Sequence, residues 1–137
     1  MKKKLSFIVA VVGSLFSTNL KAETVLYCQS ELTVGFTKDE GSWRKGNFDE
    51  ERYTVKFRND FSRLDGISGK PWKCSWAWND SKYGIVNCVH PLNNGEYFHY
   101  NKDLKRFMFL STSSTGYLED LEKADTDNIM AGSCKNF

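Results

Sequence analysis

Residues that carry chemistry are scarce in this chain. Among its 137 residues there are two histidines, His90 and His99, and four cysteines with no Cys-x-x-Cys pair. No histidine stands at ligand spacing from a cysteine, which removes the usual structural zinc sites, and no metal is expected. No G-x-S-x-G motif is present, so the most recognisable serine nucleophile is missing too. An excess of one charge is also lacking: 19 Lys and Arg face 17 Asp and Glu. Lys2, Lys3, Lys4 and Lys21 all fall in residues 1–22, which hold no acid, so the remainder has a net charge of −2. The basic footprint of a nucleic-acid-binding domain is therefore absent. The one long apolar run, Leu5 to Phe16, is well short of the roughly 20 residues that span a bilayer. Helix signals are few, and the spacing of a βαβ unit does not occur.

What is present begins with a basic n-region at Lys2–Lys4, followed by that apolar run and a small residue at Ala22, the pattern of a cleaved signal peptide. Residues 1–22 are read as the signal and 23–137 as a single β domain, in keeping with the size of one domain. A lipoprotein signal would need a cysteine directly after the cut, whereas Cys28 lies six residues beyond Ala22. The expected location is periplasmic or secreted. In an oxidising compartment, four cysteines in a small domain imply two disulfides, for which three connectivities are possible.

Strand geometry selects among them. The segments Cys74–Trp78 and Val86–Cys88 flank the polar turn Asn79–Gly84. A hairpin register summing to 162 sets Cys74 against Cys88, Trp76 against Val86 and Trp78 against Gly84. Period-two alternation then puts both sulfurs and both tryptophans on one face. Cys28 is left to Cys134, tying the first strand to the last. Elsewhere, Tyr27 to Phe36 alternates weakly, Lys38–Gly41 is a turn, and Trp43 opens a strand. Tyr53, Val55 and Phe57 alternate with polar residues as in a half-buried strand. Asn93-Asn94-Gly95 and Asn101-Lys102-Asp103 are turns around strands at Tyr97–Tyr100 and Arg106–Leu110. Leu118 to Ala124 has helical spacing over one or two turns. The pattern predicts an all-β antiparallel meander of about eight strands. A small closed or nearly closed barrel is favoured over a two-sheet sandwich.

Aromatic residues are abundant: of 20 in the chain, all but Phe7 and Phe16 lie beyond residue 22. Trp43, Trp76, Trp78, Tyr97 and Tyr117, interleaved with Arg44, Lys45, Lys73, Lys105 and Arg106, suggest a stacking face or mouth for a small apolar ligand or a glycan. A Trp-rich barrel interior is the competing reading. His90 and His99 could meet across neighbouring strands as an acid/base pair. The acidic run Glu119, Asp120, Glu122, Asp125 and Asp127 lacks the sixth-position glycine of a calcium loop, Met130 standing there, and reads as a solvated turn. Asp49, Glu50 and Glu51 offer no opposing carboxylate for glycoside chemistry.

Cys28, Gly35-Phe36, Gly41-Ser42-Trp43, Glu51-Arg52-Tyr53, Arg106-Phe107, Gly116-Tyr117 and the terminal Ala131–Phe137 form a pattern that resembles small exported bacterial proteins of unassigned function. Gly41-Ser42-Trp43 is also similar to the G-x-W of lipocalins, and Thr115-Gly116-Tyr117 to their T-D-Y, with Gly116 in place of Asp. The Tyr27–Gln29 region around Cys28 resembles the start of c-type lysozyme inhibitors, whose Y-x-C has one residue more between Tyr and Cys than Tyr27-Cys28. These likenesses imply a barrel and an envelope location. The leading expectation is a non-catalytic binding module for a small apolar ligand, a glycan or an envelope component, with no cofactor. An inhibitor or interaction protein that presents an exposed loop to a partner enzyme is the second, and a hydrolase built on His90 or His99 the third.

Overall fold

The computed structural model describes residues 23–92, 95–112 and 127–137. Alternation of large apolar and polar side chains produces strands, and the described residues hold nine: β1 (Glu23–Asp39), β2 (Ser42–Asn47), β3 (Arg52–Arg58), β4 (Arg63–Asp65), β5 (Trp72–Trp76), β6 (Ile85–Val89), β7 (Glu96–Asn101), β8 (Arg106–Ser111) and β9 (Asn128–Asn136). Every pairing is antiparallel, running β1-β3-β4-β5-β6-β7-β8-β9, and β9 returns to β1. The result is a closed eight-stranded barrel with β2 as an additional strand. Closure removes the open edges of these eight strands, edges that would otherwise template association, whereas β2 pairs with β1 alone among the described strands. Asn93 and Asn94, the helix expected over Leu118–Ala124, Tyr117 and the acidic run up to Asp125 lie outside the described residues.

The extra strand is a continuation of β3. Glu23 pairs with Arg58, Gln29 with Arg52 and Val34 with Asn47, one register throughout, so β1 faces a single long strand broken at residues 48–51. Ser30 holds the break. It is fully buried, its N–H donates to the Glu51 carbonyl (2.9 Å), and its Oγ accepts from the Glu51 N–H (2.7 Å). Gly35 opposes Gly46 above the break, and the Phe48 ring occupies the space that a Cβ on either residue would need.

Inward-facing residues fill the barrel: Leu26, Val55, Phe57, Leu64, Trp72, Val86, Phe98, Tyr100, Phe107, Phe109 and Met130 are all buried. Phe57 stacks on Tyr100 with centroids 5.3 Å apart, and Phe98 on Phe107 at 5.4 Å. Trp72 finds a partner for its indole N–H in Ser68 Oγ at 2.9 Å. Both expected disulfides are present, Cys28–Cys134 across β1 and β9 and Cys74–Cys88 across β5 and β6. The 162-sum register holds from Lys73 opposite Val89 to Trp76 opposite Val86.

It fails beyond that point. Trp78 does not oppose Gly84 or share the disulfide face, because residues 77–83 leave the ladder for two 3-10 turns, Ala77–Asn79 and Ser81–Tyr83. Local side-chain bonds outcompete the ladder there. Asp80 accepts from the Lys82 N–H at 2.9 Å, and Gly84 reverses the chain in the left-handed region at φ 67°.

Candidate functional site

Side chains occupy the interior, and one local feature decides the character of the outer surface. Opposite β9, Ser30 pairs with Gly132 and Leu32 with Ala131, which leaves Glu31 as the extra residue of a β-bulge. A single inserted residue reverses the facing of all that follow. Leu26, Cys28 and Ser30 therefore point inward, while Leu32, Val34 and Phe36 point outward at 70%, 47% and 55% exposure.

These side chains join two rows running across the outside of the barrel. Register places Val34 beside Ile129, Ile129 beside Leu110, Leu110 beside Tyr97, and Tyr97 beside Val89. One step along the strands, Leu32 adjoins Ala131, then Met108, His99 and Asn87. Met108 and Ile129 are 44% and 42% exposed. The floor of the second row is low at Ala131 and Gly132. Leu32, His99, Arg106 and Met108 surround it, forming an open depression of about 430 Å³. Contiguous apolar area of this kind on an outer sheet face is a feature of interaction sites.

His99 sits within this face. Its Nδ1 lies 2.8 Å from Asn87 Oδ1, an acceptor, so Nδ1 carries the proton and Nε2 is left as an acceptor. Its ring lies parallel to that of Tyr97, centroids 6.4 Å apart, and burial pulls its pKa below the ordinary 6.5. His90 is on the other face of the sheet. It is buried, packs edge-on against Trp72 (5.2 Å) and accepts the Leu92 N–H at Nδ1 (3.3 Å), with Glu96 3.8 Å away. The two histidines do not meet, because His99 on β7 pairs with Asn87 and faces out, whereas His90, three residues on from Asn87, is turned to the opposite side of the β6–β7 sheet. Among the described residues, no three His, Cys, Asp or Glu side chains are grouped to hold a metal ion.

The aromatic residues singled out in the sequence are dispersed. Trp43 is on the β1–β2 hairpin, with Lys38 Nζ 5.9 Å from its ring. Trp76 faces the interior against Phe61 at 5.3 Å. Trp78 stands 73% exposed on the β5–β6 turn, at the opposite end of the barrel from the hairpin. Tyr97 lies on the outer face, and Tyr117 is outside the described residues. No single mouth collects the four that are described. Leu32, Val34, Phe36, Met108 and Ile129, which build the outer face, were not candidates from sequence. For the three on β1 the signal was apolar character at even positions of Leu26–Phe36, which without the bulge reads as core. No protein-family model, curated protein or solved structure matches the chain.

Proposed function

We propose that this protein is an exported, non-catalytic interaction module that binds a partner protein through the outer face of β1, β9, β8 and β7. The observation that carries the reading is the bulge at Glu31, which turns Leu32, Val34 and Phe36 outward beside Ile129 and Met108. A wide, open, apolar face with polar groups at its margin suits a protein surface, which buries about 800 Å² per partner in a standard interface. The depression between Leu32 and Met108 would take one anchoring side chain of the partner. A filled barrel interior supports this reading over a ligand held in a Trp-lined mouth. The two disulfides fit an oxidising compartment.

Native mass spectrometry of the protein purified from the periplasm tests the proposal. A protein complex is expected, weakened about tenfold or more by the double change Leu32→Ser and Met108→Ser and unaffected by Trp78→Ala. A small molecule retained by the wild-type chain, or a complex indifferent to the Leu32 and Met108 changes, would overturn it.

A further inference from the structure

The β5–β6 turn adjoins the end of the outer depression that reaches Ile85 and Asn101, but has a different character. Trp78 and Asn79 both hold left-handed backbone, at φ 55° and 57°, without being glycine. Such conformations cost free energy in L-residues and persist where surrounding structure over-determines them. Here the effect is to present an indole that is 73% exposed. Tyr83 meets it edge-on, with centroids 5.1 Å apart and planes at 69°. Lys82 Nζ lies 4.7 Å from the Tyr83 ring centroid and pairs with Asp80 Oδ2 at 2.8 Å. The neighbouring turn supports the loop, since the Lys102 N–H donates to the Gly84 carbonyl at 2.8 Å. Both rings are exposed, Trp78 at 73% and Tyr83 at 48%.

Its surroundings are polar. Asn79, Asp80, Ser81 and Lys82 separate the two aromatic residues in the turn. A protein partner would gain little apolar burial from one aromatic pair beside such groups, since interface anchors are surrounded by contacts that exclude water. A sugar fits the combination better. The flat face of a pyranose carries axial C–H bonds of slight positive polarity, which complement the negative face of an indole. Its equatorial hydroxyls lie in the ring plane, within reach of carboxamide, carboxylate and ammonium groups of the turn.

We infer that Trp78 and Tyr83 form a saccharide-stacking platform, with Asn79 and Asp80 as hydrogen-bonding partners for ring hydroxyls. The site takes pyranosides of gluco configuration, whose axial C–H bonds leave both faces flat. It is independent of the partner-binding face and stands if that proposal fails.

The test is NMR titration of the full mature chain with two probes, cellotriose and triacetylchitotriose, following the Trp78 indole N–H. Millimolar binding is expected, with shifts confined to residues 77–84 and the adjoining turn. Trp78→Ala should weaken it about tenfold or more, and Trp78→Phe, which keeps a ring, by less. Near-UV circular dichroism establishes that each variant is folded. Absence of shifts with both sugars overturns the inference, as does binding that survives Trp78→Ala. Trp78-dependent binding to anionic phospholipid vesicles without any sugar response would overturn it in favour of a membrane-surface anchor.

Discussion

Two tryptophans two positions apart show how far a single residue's fate depends on backbone outside its own motif. Trp76 belongs to the ladder and faces the core against Phe61, whereas Trp78 has left it. Trp76→Ala should therefore cost about 3 to 5 kcal/mol, and Trp78→Ala within about 0.5 kcal/mol of zero, in urea denaturation of the two variants. Ser30 is a polar counterpart. Its Oγ is the acceptor for a part-buried Glu51 N–H, so Ser30→Ala should lose about 1 to 3 kcal/mol in the same measurement. His99 supplies a pH dependence. Because burial places its folded pKa below the unfolded 6.5, the unfolded chain takes up the proton first. Stability is full above pH 6.5 and declines as pH falls through the folded pKa. The difference in denaturation midpoint between wild type and His99→Gln should shrink or reverse on acidification through this window. A pH-independent difference would show that His99 titrates alike in both states.

Strands, pairings and turns were legible wherever local chemistry and tertiary demand agreed. Tyr53, Val55 and Phe57 read as inward-facing from sequence, and the Cys74–Cys88 pairing followed from hairpin arithmetic. Legibility ended where an added residue shifted phase. Leu26, Cys28, Ser30, Leu32, Val34 and Phe36 share one parity, and nothing at Glu31 announces that the second half will face solvent. The bulge is imposed by pairing with β9, a partner about 100 residues away in sequence. The candidate site was therefore hidden while most of the core was visible. Trp78 was misplaced for the opposite reason, since Asp80 and Gly84 made a local turn stronger than the extension of two strands. The disulfides allow a test at this scale. The chain-entropy account gives about 4 to 5 kcal/mol for a closed loop of roughly 100 residues and about 3 kcal/mol for one of roughly 15. Replacing Cys28 and Cys134 with serine should thus lower stability more than replacing Cys74 and Cys88, whose separation is 14 rather than 106. Equal losses would argue that strain or residual unfolded structure dominates both.

At the scale of the molecule, side chains fill the barrel interior, and the two proposed surfaces occupy different parts of the exterior. Loss of partner binding in the Leu32 and Met108 variant should accordingly leave sugar titrations unchanged, and the converse should hold for Trp78→Ala. The pairing of β1 with β9 also governs the timing of maturation. Where the chain enters an oxidising compartment N-terminal end first, β1 arrives before β9, so the seam cannot close until β9 has followed it. Throughout that interval Cys28 has no native partner, while Cys74 and Cys88 emerge close together and can join at once. Early oxidation of the short hairpin then protects the long closure, because it removes the two thiols with which Cys28 could form a wrong bond. A chain lacking Cys88 would expose Cys74 to Cys28 during that wait, and its failure would be one of assembly order before it was one of stability.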